Sequence, residues 1–371
     1  MGTLSRQIQP RWIRNGHWKV FPALGCLILT QVAIHHDWNT LSGFLLASLG
    51  IIPMALLLSD ATEQIAERSG PTIGAILTAT FGNCAEFIIA LSALHAGLID
   101  VVKASITGAI LSDLLLITGL AMLVGGLRFS EQSFQPTMVR TNGATMTLAV
   151  TALALPASLI STSGMDDLQA IHGLSLTVAI ILIVIYLLTL LFSLATHSHL
   201  FDPPGLHSLD EEATADHPTP VILWILQLII STGLLAVQSE AFIHCLEPAT
   251  ELIGLSPLFT GVIIIPIIGG FSEYVPAVRG ALRNQMDLPI SLAMGSSLLV
   301  ALLIAPALVI IASLSGQPMN LDFEPFEVLA LLFSVLIVNL VGMDAKSNWL
   351  EGVLLLGTFS IFGAAFYYYP T

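Results

Sequence analysis

Two carboxylates lie inside long apolar stretches of the sequence. Glu86 is in "ILTATFGNCAEFIIAL", residues 76–91, and Glu273 is in "IIIPIIGGFSEYVPAV", residues 263–278. A charged side chain at the centre of a bilayer costs about 2.5–3.5 kcal/mol on insertion scales, so each needs a physical reason. Carboxylate oxygens are hard ligands that suit Ca²⁺ and similar cations, and buried carboxyl groups also bind protons. The two acids therefore indicate binding of a cation or of protons at membrane depth.

The composition excludes a soluble protein. Of the 371 residues, 55% are hydrophobic and only 10% are charged, and the mean hydropathy is +0.88. Because a helix needs roughly 20 apolar residues to cross the hydrocarbon core, the number of long apolar runs predicts the number of transmembrane helices. Eleven such runs predict an all-α polytopic membrane protein with about 11 transmembrane helices. The runs are 20–35, 41–59, 72–96, 101–126, 140–160, 172–195, 219–241, 256–280, 288–314, 325–343 and 349–369.

The two acids belong to an internal repeat. Residues around Glu86 recur around Glu273 at a constant displacement of 187 residues. Five spans separate each residue from its counterpart, and an odd number of spans turns the second copy upside down. Inverted repeats are typical of secondary transporters, whose sites lie near the bilayer midplane. The matched pairs are Gly74 and Gly261, Gly82 and Gly269, Glu86 and Glu273, Asp100 and Asp287, and Gly108 and Gly295.

The repeat divides the chain into four segments. We assign residues 1–38 to an N-terminal arm and first transmembrane helix, and residues 39–195 to the first five-helix repeat. Residues 196–218 form an acidic cytoplasmic linker, and residues 219–371 form the second, inverted five-helix repeat. The histidines and acids of the linker are typical of a solvated loop, with sensing of metal or pH as the alternative. The first apolar segment lacks a small-residue cleavage site, so we expect it to remain as an anchor.

The basic residues indicate the orientation. With the N-terminus in the cytoplasm, ten of the eleven Lys and Arg lie at cytoplasmic ends and only Lys103 lies outside. The positive-inside rule therefore predicts a cytoplasmic N-terminus and an external C-terminus in an integral membrane protein, for which a bacterial plasma membrane fits best. The net charge of −14 comes without a basic patch, so the expected partners are inorganic cations, protons and the lipid bilayer, not nucleic acid. The oligomeric state is not indicated.

Helix-breaking residues surround the second acid. Pro266, Gly269, Gly270 and Pro276 exclude an unbroken helix around Glu273. Carbonyl groups freed at that depth are tolerated only beside a cavity or buried protein. The alternative is a buried Glu that holds helices together by bonding a Ser, Thr or Asn. A repeat-matched pair of acids beside helix breakers favours transport instead.

Further polar residues accompany the acids. Asp113, in "GAILSDLLLITG", with its neighbour Ser112, is either a ligand or proton carrier or a polar contact between helices. Asn83 either offers its carbonyl oxygen to a cation or makes a capping or interhelical hydrogen bond. Ser296 and Ser297 are weaker candidate ligands, because hydroxyl groups in spans commonly bond their own backbone. The sequence has no HExxH or GxSxG motif, so enzymatic activity is not expected.

These segments resemble a known family. The stretches "FGNCAEFIIALSALHAGLIDVVKASITGAILSDLLLITG" and "FTGVIIIPIIGGFSEYVPAVRGALRNQMDLPISLAMGSSLLVALLIAP" are similar to the two alpha-repeats of the calcium/proton exchanger family, within the cation/calcium antiporter superfamily. The resemblance implies a separate first helix, two inverted five-helix halves and an acidic loop between them. It implies that Glu86 and Glu273 are the central acids and that Asn83 belongs to the same ligand set. It also implies exchange of cytosolic Ca²⁺ for external protons by alternating access, without a cofactor.

The chain departs from the family pattern at four positions. Gly270 and Tyr274 stand where the second repeat usually has Asn and His, and Leu299 replaces a Gln after the Gly-Ser-Ser triplet. In the first repeat, Asp113 replaces the usual Asn. Neutral oxygen ligands are thus removed from one half, and an acid is added to the other. There are therefore two alternatives to Ca²⁺/H⁺ exchange. One is antiport of Na⁺, K⁺ or Mn²⁺, and the other is a transport-silent regulatory role.

Overall fold

The computed structural model describes most of the chain, namely residues 20–36, 38–163, 167–197, 220–317 and 319–370. The basic arm before residue 20 and nearly all of the predicted linker lie outside these residues. The predicted roles of the linker histidines and acids therefore stay predictions.

Helices account for the apolar runs. In chain order they are α1 (Val20–His35), α2 (Thr40–Arg68), α3 (Pro71–Phe81), α4 (Cys84–His95), α5 (Ile99–Gly126), α6 (Pro136–Ser163), α7 (Leu168–Thr196), α8 (Val221–Ile253), α9 (Pro257–Gly269), α10 (Phe271–Leu282), α11 (Asp287–Leu314), α12 (Pro325–Val341) and α13 (Trp349–Tyr368). Proline is the first residue of α3, α6, α9 and α12. At this position a backbone N–H would have no partner within the helix, so proline costs no helical hydrogen bond.

The lengths of the helices fit a membrane protein. Within the described residues, seven helices are long and apolar enough to cross a membrane, and eight if the bent pair of α9 and α10 counts as one span. Three shorter apolar helices, α1, α4 and α12, add to these. Each of the eleven predicted apolar runs thus overlaps helical structure. A helix satisfies its own backbone hydrogen bonds, which the hydrocarbon core requires.

The described chain forms two compact units. The first contains α1, α2, α3, α8 and most of α4. In it, the rings of Phe44 and Phe242 stack with centroids 5.3 Å apart. The buried amide of Gln238 on α8 donates hydrogen bonds to Thr30 Oγ1 at 3.1 Å and to the Ala47 carbonyl at 3.0 Å. This amide therefore holds α8 to both α1 and α2.

The second unit contains α5, α6, α7 and α9 to α13. Its central spans are α5 and α11. In the apolar 18-residue stretch of each helix, 83% of α5 and 67% of α11 is buried, against 17% of α7 and 22% of α13. Helices α5 and α9 approach closely at Gly108, where a Cβ atom would overlap the Val262 carbonyl oxygen. Small residues permit such close contact between spans, which hydrophobicity alone does not drive in lipid.

A two-stranded antiparallel ribbon lies at one end of the second unit. Strand β1 (Gln132–Ser133) pairs antiparallel with β2 (Lys346–Ser347). Gln132 Nε2 donates to the Ala281 carbonyl at 2.9 Å and to Asn284 Oδ1 at 3.0 Å, which ties the ribbon to the end of α10. Beside the ribbon, Glu131 forms an ion pair with Lys346, and this carboxylate raises the pKa of the Lys346 ammonium group.

Candidate functional site

Glu86 lies at the start of a helix in the first unit. Helix α3 ends at Phe81 and α4 begins at Cys84, so the span predicted as one run is broken at Gly82 and Asn83. Glycine and asparagine are both weak helix formers, which explains the break. Glu86 falls in the first turn of α4. The partial positive charge of a helix N-terminus favours a carboxylate there.

The oxygen atoms of Glu86 have different surroundings. The Asn83 side chain, which is 4% exposed, hydrogen-bonds the Glu86 carboxyl group. The Oε2 atom of Glu86 is buried and has no hydrogen-bond partner among the described residues. Because buried polar atoms are nearly always satisfied, an unsatisfied one indicates a ligand, a proton or a water. Asn83 and Glu86, both predicted site residues, are thus in direct contact.

Glu273 occupies the matching place in the second unit. The helix breaks at Gly270, with a bend of 61° between α9 and α10, and the predicted interruption is confirmed. Glu273 is in the first turn of α10 and is 6% exposed. Pro276 lies inside α10, so the break comes from the glycines and not from this proline. Helices α4 and α10 are both 12 residues long and start at repeat-matched positions.

Asp113 lies in an irregular turn of α5. Residues Ser112–Ile117 form a π-helical turn, which inserts a residue and is frequent at functional sites. Asp113 is 1% exposed, and its Oδ2 accepts a hydrogen bond from Ser297 Oγ at 3.3 Å. Ser112 Oγ shares a hydrogen bond with the Tyr274 hydroxyl group at 2.9 Å. Predicted candidates from α5 and α11 are therefore in contact, next to a residue of α10.

A matching π-helical turn follows the serine pair of α11. Ser296 and Ser297 are 4% and 0% exposed, and the turn covers Val300–Ile304. Leu299, which stands where the resembled family has Gln, is 4% exposed and brings only apolar atoms to this position. An irregular helical turn thus contains the polar residues of α5 and follows those of α11.

The described residues include no group of three or more His, Cys, Asp or Glu side chains arranged to hold a metal ion. The predicted ligand set of Glu86, Glu273, Asn83 and Asp113 stays a prediction. It consists of carboxylates supplemented by an amide, which suits a cation that binds and leaves.

The chain matches the family model described as sodium/calcium exchanger protein over residues 39–195 and 223–368. It belongs to this exchanger family. A protein of Aphanothece halophytica named Ca²⁺/H⁺ antiporter is 48% identical over 342 residues, which cover 90% of this chain and 92% of that relative. A Ca²⁺/H⁺ antiporter of Synechocystis sp. is 46% identical over 365 residues, covering 95% and 98%. The structure of native YfkE is similar with a TM-score of 0.79 at 30% identity, covering 94% of this chain and 99% of YfkE.

Membership of the exchanger family confirms the resemblance predicted from the two repeats. The protein is an integral membrane protein, as its apolar helices require. Its named relatives are antiporters and not enzymes, which agrees with the absence of enzyme motifs.

Sequence reasoning missed two features of this exchanger. The break before Cys84 was not predicted, although the Gly82-Asn83 pair signals it. Glu327, in the first turn of α12, is an acid in an apolar run and is 1% exposed, so it is as buried as Asp113. In the sequence, its position at the beginning of the apolar run is that of an ordinary helix cap.

Proposed function

We propose that this exchanger moves Ca²⁺ out of the cytosol in exchange for external H⁺ by alternating access. The observation that carries the proposal is the buried Glu86 carboxyl group, which the Asn83 side chain hydrogen-bonds and whose Oε2 atom has no hydrogen-bond partner among the described residues. The names of relatives 46–48% identical to the chain support calcium and protons as the substrates.

The coupling follows from the chemistry of the carboxyl groups. Glu86 and Glu273 bind either the cation, through negative oxygens, or protons, which neutralise them. Since the two kinds of occupancy exclude each other, a cycle that carries Ca²⁺ one way returns with protons. Asn83 and Asp113 contribute an amide and a carboxylate oxygen to the transported cation. Ser112, Ser296 and Ser297 support these groups from the buried faces of α5 and α11.

We propose eleven spans, made of a separate first helix and two inverted five-helix repeats. The repeated pattern of helix breaks supports this: α4 and α10 match in length and position, and each following span contains a π-helical turn. An odd number of spans between the copies inverts the second. Residues 39–195 and 219–371 are then the two repeats, and the linker of residues 196–218 joins them.

The proposed orientation places the N-terminus in the cytoplasm and the C-terminus outside, in a bacterial plasma membrane. Lys103 lies near the start of α5, where its ammonium group donates to Asn320 Oδ1 and to the Asp322 carbonyl, both at 2.8 Å. Arg128 follows the opposite end of α5. This separation supports an external end with Lys103 alone and a cytoplasmic end that carries the other basic residues.

The test is cation uptake into proteoliposomes driven by an imposed pH gradient. Calcium uptake with opposite proton movement is expected for the parent protein, and its loss is expected in Glu86→Gln and Glu273→Gln. The assay is repeated with Na⁺, K⁺ and Mn²⁺. Flux of one of these ions without calcium flux would reject calcium as the substrate, and absence of all flux would reject transport.

A further inference from the structure

Glu327 has one carboxyl oxygen that takes no part in capping its helix, although it is buried. It is 1% exposed at the third position of α12. Its Oε2 atom accepts a hydrogen bond from the Glu324 backbone N–H at 2.9 Å, which completes a capping box. Its Oε1 atom is buried and has no hydrogen-bond partner among the described residues. One oxygen is structural, and the other is available to a proton.

A second capping box shows that burial is not needed for this structural role. Glu351 in α13 accepts from the Asn348 backbone N–H at 3.1 Å and occupies the same position in its helix. Its side chain is half-buried, whereas that of Glu327 is almost fully buried. Burying a charged carboxylate without full hydrogen bonding is costly, so the burial of Glu327 needs a further reason.

The groups that face Glu327 come from few elements. From α5, the Lys103 ammonium group is the nearby positive charge, and the Thr107 side chain is close enough to hydrogen-bond the carboxyl group. From its own helix start, Glu324 is the nearby negative charge. The half of α6 towards Ser163 has no titratable residue. The end of α13 contributes aromatic residues, of which Tyr369 stacks on Phe326 at 5.6 Å.

Polar groups continue from Glu327 along the interface of α5 and α12. Glu324 is exposed to solvent and Glu327 is buried one turn later. Ser334 is 0% exposed on the same face of α12, about 10 Å further along the helix axis, and its hydroxyl donates to the Ala330 carbonyl at 2.6 Å. On α5, Thr107 is also 0% exposed, and α12 packs against the π-helical turn that contains Asp113. Carboxyl groups relay protons in pumps and transporters, and hydroxyl groups both donate and accept hydrogen bonds.

We propose that Glu327 is a second proton-binding group of the exchanger, on a route from the Glu324 end of α12 towards Asp113. A proton leaves water at this end, binds Glu327 Oε1, and passes inward along the hydroxyl groups of Thr107 and Ser334. The proposal rests on the proposed Ca²⁺/H⁺ exchange and adds a proton carrier outside the cation-binding set. Lys103, held by Asn320 and Asp322, keeps cations away from this entrance, so that protons and Ca²⁺ use different carboxyl groups there.

The experiment compares proton-coupled and proton-independent transport in proteoliposomes. Glu327→Gln keeps the side-chain size and an oxygen that can accept from Glu324, and Glu351→Gln is the matched capping-box control. Ca²⁺/H⁺ exchange is driven by a pH gradient, and Ca²⁺/Ca²⁺ exchange is followed with radioactive calcium at equal pH. We expect Glu327→Gln to lose about tenfold or more of the proton-driven rate while its Ca²⁺/Ca²⁺ exchange stays near the parent value. Glu351→Gln is expected to keep both rates.

Equal proton-driven rates and pH profiles in parent and Glu327→Gln would overturn the proposal, as would a parallel loss of both transport modes. A parent without calcium flux in either mode would instead reject the proposed exchange. An infrared pH titration of the purified, folded protein decides the point independently of flux. A protonatable carboxyl band should disappear in Glu327→Gln and remain in Glu351→Gln, and a band that is unchanged in both variants would refute proton binding at Glu327.

Discussion

Ser297 on α11 donates a hydrogen bond to Asp113 Oδ2 across 3.3 Å, although the two residues are 184 positions apart in the chain. The contact joins the two most buried spans of the second unit. An ionised carboxylate only accepts hydrogen bonds, so a hydroxyl donor is the matching partner. The acid that replaces the usual family Asn is therefore anchored on one oxygen by a serine of α11.

Replacing either central acid by its amide should abolish exchange. In Glu86→Gln and Glu273→Gln the side chain keeps its size but loses the negative charge, so it neither neutralises a cation nor takes up a proton. Calcium uptake driven by a pH gradient is the measurement, and size-exclusion chromatography checks folding. Glu247→Gln, an exposed change on α8, serves as the control. Retained exchange in both central variants would show that these carboxylates are not the carriers.

Asp113→Asn should change the cation preference or the pH dependence of exchange. The amide oxygen still accepts from Ser297, but the position no longer titrates and the ligand set loses a charge. The measurement is the initial uptake rate as a function of pH and of competing Na⁺, K⁺ and Mn²⁺. Ser297→Ala is the matched variant, since it removes the hydrogen bond and keeps the carboxyl group. An unaltered profile in Asp113→Asn would make this residue a structural contact.

Gly108→Ala should destabilise the protein, while Gly295→Ala should not. A Cβ atom at position 108 would overlap the Val262 carbonyl oxygen, whereas at position 295 no atom of a neighbour lies within 4 Å. Overpacking of this kind costs about 1–3 kcal/mol, and Ala is the better helix former at the open position. Thermal unfolding in one detergent compares the two variants directly. Equal melting temperatures would contradict the close contact between α5 and α9.

Deleting residues 203–216 should preserve transport at saturating cation. This segment belongs to the acidic linker, whose composition predicts solvated chain outside the spans. Uptake measured at saturating and at low calcium separates transport itself from sensing. A folded deletion variant without any flux would show that the linker is essential. Loss of activity only at low calcium or at one pH would support a sensing role for its histidines.

Composition and spacing by themselves determined the class of this protein. Hydropathy is a property of local sequence, so the apolar runs predict the helices, and the paired glycines at 269 and 270 predict the bend before Glu273. The repeat also singles out Glu86 and Glu273 as the predicted central acids without any structure. Family membership follows from the same segments.

Only the tertiary structure decided which polar atoms meet. The contact between Asp113 and Ser297, the shared hydrogen bond of Ser112 and Tyr274, and the burial of Glu327 each depend on how helices distant in sequence pack. Local propensity carries no information about such packing, because any helix face is compatible with the same hydrogen-bonded backbone. The start of α4 at Cys84 is intermediate: the glycine and asparagine before it signal a break, although the surrounding run is apolar.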